Sequence, residues 1–241
     1  MKKKFIVFTT LIIVALFGLI LFLPVAFLPV ANPEEVGLVW KECPLLDLGG
    51  SRQIDDCFGR STSSLSQDEK FIHGDRIDMQ NYLLKIGSDT YWTRMLGDLF
   101  GYEWFALYKN GWPIHLLIGP FYAHSPNIGL YGIGGKVAWQ FVNGEKSILI
   151  YDGQNLNRKY GFSQAFSPYS LGGNMVFIGK QGDKYFIVYD GKKLAPEFDE
   201  IYNAYCCEGV LYAPRGEDGM YVFNGVKYGQ HYLLAITTIE N

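Results

Sequence analysis

The first feature of the chain is a long apolar run near its start. Residues 5–31 contain no charged side chain, and the part from Phe5 to Leu23 has no proline. A helix over that part would be roughly 28 Å long, which matches a bilayer hydrocarbon core of roughly 30 Å. Pro24 and Pro29 then fall near the outer interface, where a helix kinks or ends at little cost. The pattern predicts a basic stub and a transmembrane signal-anchor helix within residues 1–31.

The charges that flank this run predict its orientation. Lys2, Lys3 and Lys4 precede it, and Glu34 and Glu35 follow it. By the positive-inside rule, the N-terminus is cytoplasmic and the rest of the chain is extracytoplasmic. The expected localisation is therefore a single-pass membrane protein with its C-terminal domain outside.

The alternative to an anchor is a cleaved signal peptide. The apolar core of a signal peptide is usually about 7–15 residues long, which is shorter than this run. Candidate cleavage positions follow Ala26 and Ala31, and each has a proline three residues upstream, where a small residue is preferred. Length and flanks both favour the uncleaved anchor.

Beyond the apolar run, short apolar segments alternate with glycine-containing turns. An aromatic residue followed by a turn recurs four times, at Tyr108-Lys-Asn-Gly111, Tyr151-Asp-Gly153, Tyr189-Asp-Gly191 and Phe223-Asn-Gly225. Each turn follows a strand candidate, and successive turns are separated by roughly 40 residues, a spacing typical of propeller blades. Asn-Gly and Asp-Gly supply the positive φ that tight β-hairpins need. Residues 82–241 are therefore predicted to be all-β, built from repeated strand–turn–strand units.

One of these units resembles a known repeat family. Residues 165–191, AFSPYSLGGNMVFIGKQGDKYFIVYDG, are similar to the WD-like repeat of bacterial envelope β-propellers, with a Phe-Ser-Pro turn, a strand, a glycine-containing hairpin and a second strand. Residues 169–173 depart from the Asp-Gly that usually follows Phe-Ser-Pro. The resemblance implies a β-propeller-like domain of about four to five blades, with protein binding as its role. A strand at Val36–Trp40 would complete a blade with the C-terminal LLAITTI; otherwise the sheets form an open stack or another β-sandwich.

Residues 32–81 fit the repeat poorly and are predicted to be a stalk or loop region. The stretch 61–70 is polar and rich in serine, which is typical of an exposed linker. Cys43 and Cys57 bracket a short polar loop and are the candidates for a disulfide, because the region is expected to be extracytoplasmic. Cys206 and Cys207 are adjacent, and four cysteines allow three pairings.

The net charge of the chain argues against two classes of partner. The three N-terminal lysines contribute +3 to a net charge of −3, so the remainder of the chain carries −6. An acidic domain without a basic cluster argues against nucleic acid as a partner. It also argues against electrostatic docking on anionic lipid.

No motif for catalysis, a cofactor or a metal is present in the sequence. The four histidines form no metal-binding pattern, and Asp152 and Asp190 are predicted to stabilise the repeated turns. The chain is 16% aromatic, and large aromatic side chains often anchor ligands. Candidates for lining a carbohydrate or peptide groove are Trp104, Trp112, Tyr122 and Trp139. The alternative is that these four side chains fill the core.

These observations lead to a functional expectation. The chain is expected to be a membrane-anchored extracytoplasmic binding or scaffold protein whose partner is an envelope protein or a glycan. The alternative is a hydrolase of cell-wall or extracellular glycan, with two carboxylates roughly 5–10 Å apart in a central channel. A structural spacer without a dedicated ligand is a third alternative.

Overall fold

The apolar segments and glycine turns of the sequence form antiparallel strands in the computed structural model. It describes residues 28–44, 83–99, 102–119, 127–143, 146–202, 214–217 and 219–239. Strands dominate these ranges, and the helices within them are one 3-10 helix, η1 (Pro33–Val36), and one α-helix, α1 (Leu156–Tyr160). The predicted all-β class is confirmed.

The strands, which are labelled β1–β18 in chain order, form four sheets. Two N-terminal strands, β1 (Val30–Ala31) and β2 (Leu38–Pro44), join later sheets. Sheet I comprises β3 (Leu84–Ile86), β4 (Asp89–Leu99), β5 (Tyr102–Lys109) and β6 (Trp112–Gly119). Sheet II comprises β7 (Asn127–Ile133), β8 (Lys136–Asn143), β9 (Lys146–Tyr151) and β10 (Gln154–Asn155).

The other two sheets each gain one N-terminal strand. Sheet III comprises β1 with β11 (Gln164–Leu171), β12 (Asn174–Gln181), β13 (Lys184–Tyr189) and β14 (Lys192–Phe198). Sheet IV comprises β2 with β15 (Glu200–Ile201), β16 (Arg215–Glu217), β17 (Met220–Lys227) and β18 (Gln230–Thr238).

Apolar side chains between the sheets stack them in chain order. Phe105 of sheet I packs against Trp139 and Phe141 of sheet II in one buried cluster. A second cluster joins sheets II and III, and a third joins sheets III and IV. No hydrophobic cluster of the described residues joins sheet IV to sheet I, and none of the four sheets closes on itself.

Alternation along β13 explains why this strand is apolar on both faces. Ile187 points into the cluster with sheet IV, whereas Val188 points into the cluster with sheet II, and both are fully buried. Successive side chains of a strand point to opposite faces, so a strand between two sheets needs apolar residues at every position. The expectation that this strand is covered on both sides is confirmed.

The hairpin turns of sheets II and III repeat one geometry. Asp152 and Asp190 have φ values of 50° and 46°, and each is followed by a glycine of positive φ. The backbone N–H of Asp152 donates to Val137 O and that of Asp190 to Met175 O, both at 3.0 Å. The two donor residues are separated by the same number of residues as the two acceptor residues. The two sheets are therefore equivalent units of one repeat at this turn.

The last predicted turn was wrong in position. Asn224 and Gly225 lie inside β17, and the turn between β17 and β18 is formed by Tyr228 (φ 54°) and Gly229 (φ 72°). Gly225 is needed for another reason, because a Cβ there would lie 2.9 Å from Cδ1 of Phe198. With the turn in its observed place, the last three units share one period, since equal intervals separate their turn glycines, Gly153, Gly191 and Gly229.

Strand β2 completes sheet IV. It pairs antiparallel with β18, from Leu38 opposite Thr238 to Pro44 opposite Tyr232. The predicted pairing of the Val36–Trp40 region with the C-terminal strand is confirmed. Residues 38–44 of the predicted stalk are therefore a strand of sheet IV, and Leu38 joins the core between sheets III and IV.

The end of the predicted anchor is also part of the folded domain. Val30 and Ala31 pair in parallel with Lys193 and Leu194, and Leu28 packs against the cluster between sheets II and III. Residues 28–44 thus hold the edges of sheets III and IV together. Within the described residues no helix is long and apolar enough to cross a membrane; residues 5–27 of the predicted anchor, like residues 45–82, lie outside them.

We predict that Tyr228→Asn raises the free energy of unfolding by about 1 kcal/mol, because a bulky side chain at positive φ is strained and Asn is tolerated there. The Tyr228 side chain is 87% exposed, so little packing is lost. The matched variant Asp190→Tyr places the bulky residue at the equivalent turn and is expected to lower stability by a similar amount. Urea unfolding of the full chain in detergent measures both. A loss of stability in Tyr228→Asn would contradict the equivalence of the two turns.

Candidate functional site

A groove of about 410 Å³ opens between sheets II and III, at the end where the repeated Tyr-Asp-Gly turns lie. The glycine hairpins of the two sheets approach closely beside it. A Cβ on Gly134 would lie 3.0 Å from the carbonyl oxygen of Gly173. The groove therefore follows from the repeat, which brings the same turn of neighbouring sheets side by side.

Helix α1 forms one wall of the groove. Asn155 caps the helix, since its side chain accepts a hydrogen bond from the backbone N–H of Arg158 at 2.9 Å, and Gly161 ends it in a left-handed conformation. A side-chain oxygen at the N-cap satisfies a helix N–H that lacks a backbone partner. The cap orients Lys159 and Tyr160 towards the groove, while Leu156 is buried beneath them.

Polar side chains, called the rim below, contribute more of the lining of the groove than apolar side chains do. Leu156 and Phe177 are buried, and Met175 is partly buried. The partly buried ring of Tyr160 packs against them, with its centroid 6.1 Å from that of Phe162 and 5.0 Å from Lys159 Nζ. The groove is therefore more polar than a typical small-ligand site, whose lining is mostly apolar.

The charges of the rim balance. Lys136 Nζ lies 2.8 Å from Asp152 Oδ2, and this hydrogen bond is the main cause of the raised pKa of Lys136. Lys159 Nζ donates to Gln154 Oε1 at 2.8 Å. The carboxylate of Asp190 has no ion-pair partner among the described residues. Two cations and two carboxylates thus leave the groove without net charge.

Tyr151 connects the groove to the sheet beneath it. Its hydroxyl donates to the carbonyl oxygen of Ile133 at 3.1 Å, and Tyr189 makes the equivalent contact in the next unit, to Leu171 O at 3.4 Å. Burial raises the pKa of Tyr151, so the phenol stays protonated and keeps this hydrogen bond. Tyr151 is a fixed part of the wall.

The three predicted groove aromatics that the structure describes, Trp104, Trp112 and Trp139, lie in different surroundings. Trp139 is fully buried between sheets I and II. Trp112 is 77% exposed at the start of β6, and Trp104 is half-buried on β5. Tyr122 lies outside the described residues. Trp139 belongs to the core because every position of a central strand is covered, which agrees with the alternative interpretation of the sequence.

His115 contacts Trp139 across sheets I and II. The two rings are nearly perpendicular, with centroids 6.1 Å apart. Burial lowers the pKa of His115 below its usual 6.5, because a charged imidazole is poorly solvated at this position. His115 is therefore a partly buried side chain at the edge of the core, and its surroundings favour the neutral imidazole.

The sequence did not predict the observed groove. The signal was present in the two Tyr-Asp-Gly turns, followed in one unit by the capped segment from Asn155 to Tyr160. Asp152 and Asp190 do adopt the turn conformation that was predicted for them. What the sequence could not supply was the face-to-face packing that puts both turns on one groove.

The described residues give no second site based on cysteine or metal chemistry. Cys43 is disulfide-bonded, whereas Cys57, Cys206 and Cys207 lie outside the described residues, so the Cys43–Cys57 pairing stays a prediction. Within the described ranges, no group of three or more His, Cys, Asp or Glu side chains converges as metal ligands would.

We predict that His115→Asn reduces the loss of stability in acid. Because the folded protein lowers the pKa of His115, the unfolded chain binds the proton more readily, and stability falls as pH decreases from about 7 to about 5. Urea unfolding at both pH values should give a smaller difference for the variant than for the parent chain. Equal differences would mean that His115 is as well solvated in the folded protein as in the unfolded chain.

Comparison with known proteins identifies no relative of this chain. No protein-family model matches it, and no curated protein or solved structure matches it either.

Proposed function

We propose that this chain is a membrane-anchored extracytoplasmic binding or scaffold protein. Its propeller-like domain would present loops and grooves to a glycan or to another envelope protein. The main support for the proposal is that only a few residues separate the apolar N-terminal run from the sheets.

With the proposed anchor, the domain would lie close to the membrane. Only residues 24–27 separate Leu23, the end of the proline-free apolar part, from Leu28, which packs in the core. Extended chain between these residues spans at most about 18 Å. A domain joined in this way is held close to the bilayer surface, which suits binding of a partner that is itself part of the envelope.

The arrangement of the sheets supports a propeller of the WD-like kind. Three consecutive units share one period, and the N-terminal strand β2 pairs with the C-terminal strand β18. Pairing of the first and last strands keeps the ends of a repeat array together, as a ring of blades requires. The segment 45–82 is about as long as one repeat of roughly 40 residues, so the chain has room for four or five units.

The exposure of the carboxylates favours binding over glycan hydrolysis. A hydrolase needs two acids converging in a pocket, one of them held protonated by burial. Asp152 and Asp190 of the groove are exposed, and their backbones serve the repeated turns. Among the carboxylates whose side chains the structure describes, none is buried.

Attachment to the membrane is the first testable consequence. The chain is expected to stay with the membrane after carbonate extraction, and the double variant Ile13→Arg with Phe17→Arg is expected to be released, because each arginine costs about 3 kcal/mol at the centre of a span. The double variant Ile13→Ala with Phe17→Ala is the control and should remain attached. Release of the parent chain would contradict the anchor.

The side of the membrane is tested by chemical labelling. A cysteine introduced by Tyr228→Cys, at a residue that is 87% exposed, should react with a membrane-impermeant maleimide in intact cells. The parent chain controls for the native cysteines. Labelling that appears only after permeabilisation would place the domain in the cytoplasm and overturn the proposal.

The mature chain is expected to retain residues 1–26. Mass spectrometry of the chain isolated from native membranes would detect them. A chain that begins at Phe27 would show cleavage and release from the membrane. Cleavage after Ala31 is not expected in any case, because it would remove β1, whose residue Ala31 is buried against sheet III.

A further inference from the structure

The groove between sheets II and III has the dimensions of a site for a small polar ligand. Its volume of about 410 Å³ falls in the range of roughly 300–1,000 Å³ that is typical of ligand sites. Its walls are held by structure that does not depend on a ligand, namely the two repeated turns and the capped helix α1. A rigid site loses little entropy when a ligand binds.

The charges indicate a ligand without net charge. Lys136 is already neutralised by Asp152 at 2.8 Å, and the rim also carries Lys159 and Asp190. A phosphate or polyanion would meet two carboxylates, and a polycation would meet two ammonium groups. A neutral ligand avoids both repulsions.

The polar groups indicate a ligand rich in hydroxyls. Lys159 can only donate hydrogen bonds and the carboxylate of Asp190 can only accept them, while Gln154 and Asn174 do both. A hydroxyl group donates one hydrogen bond and accepts others, so it can join a donor and an acceptor of the rim at once.

The aromatic and apolar surfaces match the carbon face of a sugar ring. The partly buried ring of Tyr160 borders the groove, with Lys159 Nζ 5.0 Å from its centroid, and the buried Phe177 supports the lining from beneath. Aromatic rings offer broad, rigid contact surface to the C–H face of such a ligand. Apolar contact on one side and hydroxyl contacts on the other are the two requirements of a saccharide.

We propose that this groove binds a neutral saccharide, with Tyr160 as the stacking surface and Asp190 and Lys159 as the polar anchors. The assignment rests on the proposed function, which places the groove on the side of the membrane where envelope glycans occur. It deepens that function by naming the class of ligand.

Binding is tested with the full chain in detergent on an array of neutral oligosaccharides, including β-1,4-linked N-acetylhexosamine, glucan and mannan fragments, with titration of those retained. Tyr160→Ala is expected to weaken binding about five- to tenfold, because it removes the stacking surface. Asp190→Asn keeps a residue that tolerates positive φ but removes the carboxylate, and is expected to weaken binding about tenfold. Unfolding curves of both variants show that the fold is retained.

Trp112→Ala is the matched control, since Trp112 is an exposed aromatic residue on sheet I, away from the groove. It is expected to leave saccharide binding unchanged. Loss of binding in Trp112→Ala with none in Tyr160→Ala would overturn the assignment by moving the site to sheet I. Saccharide binding that survives both groove variants would overturn it as well.

Other outcomes separate this inference from the function on which it rests. If no oligosaccharide binds while the maleimide experiment finds the domain outside, the saccharide assignment fails and the anchored scaffold stands. If a retained oligosaccharide is cleaved, as new reducing ends would reveal, the groove assignment stands and the non-enzymatic function fails. Binding of peptides on a parallel array, weakened by Tyr160→Ala and Asp190→Asn, would overturn the saccharide class.

Discussion

Burial of the central sheets on both faces is the constraint on which this structure depends. Sheets II and III each lie between two neighbours, so their strands need apolar side chains at every position rather than at alternate ones. Ile187 and Val188 meet this need on opposite faces of one strand. The outcome is a stack in which buried clusters between neighbouring sheets stabilise the sheets that they join.

The turns follow from this packing. Sheets that lie face to face in the same orientation bring equivalent hairpins together, and each hairpin needs a residue of positive φ before its glycine. Asp152 and Asp190 meet that need at low cost, and Tyr228 meets it under strain. The groove between sheets II and III is thus a product of the repeat, because the same hairpin geometry supplies both of its carboxylates.

Part of this fold could be predicted from the sequence because some turns carry their own chemistry. Asp-Gly at residues 152–153 and 190–191 allowed the right turns to be recognised, whereas Asn224-Gly225 was misleading. A glycine is used both where φ is positive and where a neighbour such as Phe198 leaves no room for a Cβ, and the sequence does not separate the two uses. The groove required knowledge of which faces meet, which no local pattern contains. Similarly, Leu28 and Ala31 are as apolar as a membrane segment and were assigned to one, although their contacts are with sheet III.

The two N-terminal strands have a mechanical consequence. A pull on the N-terminus first meets β1, whose ladder has two residue pairs, and then β2, whose ladder has seven. The first attachment would yield at a small force, while the second would resist in shear along its whole ladder. Tension from the N-terminal side would therefore detach the edge of sheet III early and leave sheet IV intact, so that any slack gained is limited to the few residues before Leu38.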